Sequence, residues 1–127
     1  MTPLEILVAA RRLIDTPEKW TTDAIARRRD FSPVSPNDLD AVCFCSDGAL
    51  IRATLGTSKR ENGSLRWRDQ DYAGAVALLN AAVPDRWMNA QWGEIAFIKF
   101  NDDPATTHAD VMALFDRAIE TARRAAA

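Results

Sequence analysis

Phe100-Asn101-Asp102-Asp103-Pro104-Ala105-Thr106-Thr107-His108-Ala109-Asp110 runs directly into Val111-Met112-Ala113-Leu114-Phe115-Asp116-Arg117-Ala118-Ile119 in the last third of the chain. It opens as a polar turn and becomes a patterned helix. Val111, Leu114, Phe115, Ala118, Ile119 and Ala122 recur at intervals of three and four, which places them on one helical face. Asp110, Arg117, Glu120 and Arg124 fall on the other. Thr106 or Thr107 suits the N-cap, since a threonine oxygen can accept from a free amide one turn in. With Thr107 as cap, Asp110 stands where the reciprocal residue of a capping box belongs. Arg123 and Arg124 near the far end complement the helix dipole. An apolar stripe of this length must pack on something, so the segment predicts a core helix over 107–124.

Working outward, Glu94-Ile95-Ala96-Phe97-Ile98-Lys99-Phe100 reads as a strand or as a short buried helix. Helix is the expectation, because no partner strand is apparent elsewhere. Tyr72, Val76, Leu79 and Val83 predict a helix over 70–83, capped by Asp69 or Asp71 and stopped by Pro84. Leu39, Val42, Cys43, Ala49, Leu50 and Ala53 predict another over 39–55, capped by Asn37 or Asp38, with Gly48 allowing a close neighbour. Leu4, Leu7, Val8, Arg11 and Ile14 form a stripe over 3–15, flanked by Ile6, Ala10 and Leu13. Pro3 is tolerated in its first turn and Pro17 ends it. A helical turn is expected at Pro17–Trp20, and a further short helix from Ala24 to Arg28. Phe31 to Asp38, with two prolines, reads as loop. Asn62-Gly63 marks a hairpin or loop within the 57–69 insertion. The fold class expected is all-α or nearly so, a compact bundle of about four main helices in one domain spanning 1–127.

Composition bounds the function. The 127 residues carry 27% charged and 47% apolar side chains, a globular balance. The net charge of -2 gives no global attraction to nucleic acid or anionic membrane. No apolar run approaches the roughly 20 residues that span a bilayer. Met1-Thr2-Pro3-Leu4-Glu5 lacks the basic flank of a signal peptide, so a cytoplasmic address is expected. Cys43 and Cys45 are too few for a disulfide framework.

Several motifs recur together. Trp20 precedes Thr21-Thr22-Asp23-Ala24-Ile25-Ala26-Arg27; a Pro-rich loop follows, then Ala41-Val42-Cys43-Phe44-Cys45-Ser46-Asp47-Gly48-Ala49-Leu50. Phe100-Asn101-Asp102-Asp103-Pro104 then leads to Leu114-Phe115-Asp116-Arg117-Ala118. This order resembles a family of small bacterial and phage proteins, a domain of unknown function. The resemblance covers most of the chain and implies a compact domain with no established activity. A cysteine shortly before Gly-Ala-Leu is typical of it and is matched by Cys45, while the insertion around Thr57 to Arg68 departs from its pattern. It carries no catalytic residues onto this sequence.

Candidate sites follow from chemistry. A thiolate needs a base or a cation beside it, so Cys45 or Cys43 with His108, oriented by Asn101, Asp102 or Asp103, would make a cysteine-dependent enzyme. The competing reading buries both thiols in the core. His108 in a first helical turn reads as solvent-exposed, because the dipole there disfavours a cation. One histidine, and two cysteines on opposite sides of a helix, do not complete a metal tetrad. Neither a metal nor a cofactor is expected. Arg27, Arg28, Arg29, Lys59, Arg60, Arg66 and Arg68, with Trp67 between the last two, sketch a stacking and phosphate surface. The overall charge disfavours nucleic acid.

Four tryptophans in so short a chain are more suggestive. Trp67, Trp87, Met88 and Trp92, with Arg66 and Arg68, are residue types enriched at interface centres. The leading expectation is a non-enzymatic interaction or regulatory protein with an unknown protein partner, leaving homo-oligomerisation open. The enzyme and the nucleic-acid accessory protein are the alternatives.

Overall fold

Thr2 and Glu5 close a reciprocal cap at the start of α1 (Pro3–Leu13): Thr2 Oγ1 accepts from Glu5 N at 3.2 Å, and Glu5 Oε1 accepts from Thr2 N at 2.9 Å. Pro3, without an amide, occupies the first helical position at no cost in hydrogen bonding. The computed structural model describes residues 1–57, 69–88 and 91–126. Burial on α1 centres on Ile6, Leu7, Ala10 and Ile14, with Leu4 and Val8 only half-buried. The buried face is therefore turned from the expected stripe, because α2 (Ser46–Leu55), α3 (Gln70–Ala82) and α5 (His108–Ala126) all pack against α1.

After the expected short 3-10 turn at Pro17–Lys19, the chain does not form a helix from Ala24. Asp23 adopts a left-handed backbone (φ 62°), which interrupts any right-handed helix there, and its N–H donates to Asp102 Oδ1 at 3.0 Å. Ala26–Arg27 forms β1, antiparallel to β2 (Cys43–Phe44), with Ala26 opposite Phe44 and Arg27 opposite Cys43.

The helix expected over 39–55 is likewise corrected. Its first part is extended, and α2 spans only Ser46–Leu55. Leu39 and Val42 are exposed, so their helical spacing marked no buried face; Cys43 and Phe44 instead satisfy their backbone groups through the ladder to β1. Cys45 is the N-cap, its Sγ accepting from Gly48 N at 3.3 Å. Asn37, expected to cap the start, works at the opposite end: its Nδ2 donates to Gly56 O at 2.6 Å, where α2 stops at a glycine of φ 68°. Asp38 folds onto Asp40 N within its own turn.

The remaining elements follow the sequence closely. Asp69 caps α3 (Gln70–Ala82) by accepting from Tyr72 N at 2.8 Å. A 3-10 turn at Gly93–Ile95 leads into α4 (Ala96–Asp102), so the ambiguous segment is helical. Thr107 and Asp110 form the anticipated capping box (3.1 and 2.9 Å) at the head of α5 (His108–Ala126). Val111, Leu114, Phe115, Ala118, Ile119 and Ala122 are all buried.

The architecture is mostly helical. Among the described residues it has five α-helices and one two-stranded sheet. The four expected helices correspond to α1, α2, α3 and α5, with α4 as a fifth. The hairpin considered for the insertion lies outside the described residues. One hydrophobic cluster joins all five helices, with Phe97, Phe115, Leu50 and Leu79 among its fully buried members. Burial of each such side chain contributes about 1.5–3 kcal/mol.

Candidate functional site

Asn101, at the end of α4 and 1% exposed, draws three separate parts of the chain together. Its Oδ1 accepts from Trp20 Nε1 (2.8 Å), Ser46 N (3.0 Å) and Ser46 Oγ (2.7 Å). Its Nδ2 donates to Thr21 O (3.2 Å) and Asp102 Oδ1 (2.9 Å). Asp102 in turn holds Asp23 N. Asp103 accepts from Ala105 N at 2.7 Å, closing the turn into α5. Asn101, Asp102 and Asp103 thus direct their side chains to partners within the chain, and Asn101 and Asp102 anchor the loop that carries Trp20 and Thr21.

The cysteine arrangement offers little nucleophilic chemistry. Cys43 and Cys45 are 5% and 6% exposed, and the Cys45 sulfur faces its own helix's amides. His108, expected to be exposed, is half-buried: it lies beside the Trp20 ring (centroids 6.0 Å apart) and its Nε2 sits 2.7 Å from Ile14 O. A carbonyl can only accept, so Nε2 carries a proton and is engaged with the end of α1. Asp47, in the first turn of α2 and 3% exposed, accepts from the Tyr72 hydroxyl at 2.5 Å. The helix terminus favours that carboxylate, and the pair couples α2 to α3. Sequence reading had not singled out either residue as polar core. Among the described residues, no group of three or more His, Cys, Asp or Glu side chains is placed to hold an ion.

The basic run is split. Arg27 folds inward, donating to Thr21 Oγ1, Thr22 O and Phe31 O, with its guanidinium 4.3 Å from the centre of the Phe31 ring. Three of its five N–H donors are therefore committed within the chain. Lys59, Arg60, Arg66, Trp67 and Arg68 lie outside the described residues.

The segment after α3 holds the remaining aromatic candidates. Trp87 and Trp92 pack against the core and each other (centroids 6.4 Å apart), and Trp87 meets Phe100 edge-on at 6.1 Å. Lys99 Nζ lies 5.4 Å from the Trp92 ring. Both tryptophans are half-buried, while Met88 (50%) and Ile95 (42%) expose apolar surface.

Next to this segment, α3 and the stretch Gly93–Ile98 bound a groove of about 610 Å³. Ala73, Val76 and Ala77 form one wall, and Ile95, Phe97 and Ile98 the other. Asn80 bridges the walls: its Nδ2 donates to Glu94 O at 2.8 Å and its Oδ1 accepts from Phe97 N at 2.9 Å. With Asn80 and the Tyr72 hydroxyl both engaged, the lining is largely apolar. The signal was present in α3, whose alanines at 73, 77 and 81 are exposed although the helix is apolar nearly all round.

No helix among the described residues is long and apolar enough to cross a membrane. Neither the curated proteins nor the solved structures provide a match to this chain. A family model does match, over residues 1–121 of the 127, and on that extent the chain belongs to the family of unknown function DUF6197.

Proposed function

We propose that this chain is a non-enzymatic interaction domain, receiving an apolar helix of a protein partner in the groove between α3 and α4. The observation that carries this is the composition of the groove: a channel of about 610 Å³ whose amide and phenol groups are already bonded inside the protein. Such a lining gives area to aliphatic side chains and little directional bonding to a polar ligand. Ala73, Val76, Ala77 and Asn80 follow helical spacing, and the two alanines leave room for a ridge of side chains from a second helix. Glu94, exposed and lining the groove, supplies a charged edge of the kind that interfaces commonly have. In this reading Trp87 and Trp92 support the wall from behind. The protein acts as a cytoplasmic regulatory accessory factor of bacterial or phage origin, in keeping with the sequence resemblance.

The test compares capture from a bacterial lysate by the native protein, by Ala77→Arg and by Arg29→Glu. Ala77 is exposed on a helix, and arginine is a good helix former, so the first variant blocks the groove without disturbing the fold. A stoichiometric partner kept by Arg29→Glu and lost by Ala77→Arg supports the reading. A partner indifferent to Ala77→Arg, or the absence of any stoichiometric partner, overturns it.

A further inference from the structure

A second cavity, separate from the groove, lies where α5 passes the turn that follows α3. It measures about 420 Å³. Asp110, Ala113 and Arg117 reach it from one face of α5, being three and seven residues apart on the helix. Pro84 and Arg86 come from the turn after α3, and Phe100 comes from α4. Two guanidiniums therefore flank a cleft that Pro84, Ala105 and Ala113 line, with the nearly buried Phe100 (3% exposed) at its floor.

Among the described residues, no carboxylate stands within ion-pair distance of Arg86 or Arg117. Arg86 makes no hydrogen bond there at all. Arg117 donates Nε to Ala82 O at 3.0 Å, which fixes the plane of its guanidinium against the end of α3 and leaves its terminal nitrogens available. Asp110, the one acid of the cavity, is turned to its own helix cap, accepting from Thr107 N. Its carboxyl is held below the usual range first by that backbone N–H and the Thr107 hydroxyl, then in smaller part by Arg86 and Arg117. The cavity carries two positive charges and one negative, a net attraction for an anion.

A further observation points the same way. Three buried polar atoms lack a partner among the described residues: Asn37 Oδ1, Trp87 Nε1 and Thr106 Oγ1. The last two belong to residues adjacent in the chain to Arg86 and to Ala105, which also lines the cavity. Trp87 packs its ring edge-on against Phe100. Trp87 Nε1–H is thus a buried donor on a ring that touches Phe100, with no partner among the described residues.

We propose that this cavity binds a small organic oxyanion, a carboxylate or a phosphate monoester, with its charged end between Arg86 and Arg117 and an apolar body against Pro84 and Ala113. Guanidinium forks match planar and tetrahedral oxyanions. The site does not depend on the docking groove, and either can fail without the other.

The experiment titrates the ¹⁵N-labelled protein with benzoate, phenyl phosphate and, as the neutral control, benzamide, at constant ionic strength. The side-chain Nε–H signal of Arg117 and the indole signal of Trp87 report the site. Saturable shifts with benzoate or phenyl phosphate, and none with benzamide, are expected; the anion that saturates at lower concentration identifies the class. Arg86→Ala, which removes an exposed side chain with no bond to lose, weakens binding about tenfold or more. Arg117→Gln does the same, and Asp110→Asn tightens binding by removing the competing charge. Shifts that fail to saturate, that benzamide reproduces, or that survive Arg86→Ala unchanged overturn the proposal.

Discussion

Gly48 lies directly beneath the backbone of Ile25: a Cβ built on Gly48 would stand 1.9 Å from the Ile25 carbonyl oxygen and 2.9 Å from its carbon. Cys45 N donates to that same oxygen at 3.2 Å, so the strand-loop backbone at residue 25 is seated on the first turn of α2. No side-chain rotamer can relieve the contact, because both partners are backbone.

Gly48→Ala should therefore destabilise the protein despite alanine's better helix propensity. Overpacking typically costs about 1–3 kcal/mol, and a backbone clash this close belongs at or above the upper end. Gly74 is the internal control. A Cβ there would lie 2.8 Å from Pro3 Cγ, part of a ring at the exposed start of α1, and the helix gains about 1 kcal/mol from the exchange. Urea unfolding of both variants should show a large drop in midpoint for Gly48→Ala and a small change of either sign for Gly74→Ala. Equal effects would mean that Ile25 can move aside.

Asn101→Ala should cost several kcal/mol, more than its apolar burial explains. The substitution leaves Trp20 Nε1, Ser46 N and Ser46 Oγ without their acceptor in a closed site, and each such loss carries roughly 1–3 kcal/mol. Asn101→Asp keeps an acceptor but removes the donor to Thr21 O and sets a second carboxylate against Asp102. It should also be destabilised at neutral pH and recover part of the loss on acidification. Unfolding curves, with hydrogen exchange at the Trp20 indole, measure both.

These two sites show what the sequence could and could not disclose. The α5 stripe, the Thr107–Asp110 box, the Asp69 cap and the stop at Pro84 are local patterns, set by residues within one or two turns of each other, and all were legible. Residues 39–45 were not. Their apolar spacing fits a helix, but the backbone of Val42 to Cys45 is claimed by Ile25, Ala26 and Arg27, a pairing across the loop that no local period records. Asn101 read as part of a turn, whereas its partners lie 55, 80 and 81 residues away. The groove was hidden for a related reason: small residues on α3 look like filler until the opposite wall is known.

The caps give the stability a defined acid limb. Glu5 is held below its usual pKa by the Thr2 backbone N–H and then the Thr2 hydroxyl, and Asp110 by the same two groups of Thr107. A carboxylate depressed in the folded state contributes stability that is complete above its unfolded pKa and is lost as pH falls through the folded one. The melting temperature should accordingly stay level down to about pH 5 and decline below about pH 4, the ordinary carboxylate range. Glu5→Gln and Asp110→Asn should lie below the native protein at pH 7 and converge with it in acid. A constant difference at every pH would place the effect outside the carboxylate charge.

Thiol reactivity separates a capping cysteine from a catalytic one. Cys43 and Cys45 are both buried, and Cys45 Sγ serves as an acceptor for the start of α2. Reaction with a disulfide reagent should be slow in the native state and limited by opening of the structure, with both thiols reacting at once in denaturant. Replacement tests the role directly. Cys45→Ser retains an N-cap acceptor, and hydroxyls cap well, so the serine variant should stay close to native stability. Cys45→Ala removes the acceptor and should lose roughly 1 kcal/mol by the usual cost of an absent cap. A fast native thiol that slows when His108 is replaced by glutamine would contradict this ordering, since it would require an accessible thiolate activated by an imidazole whose Nε2 the Ile14 carbonyl already engages.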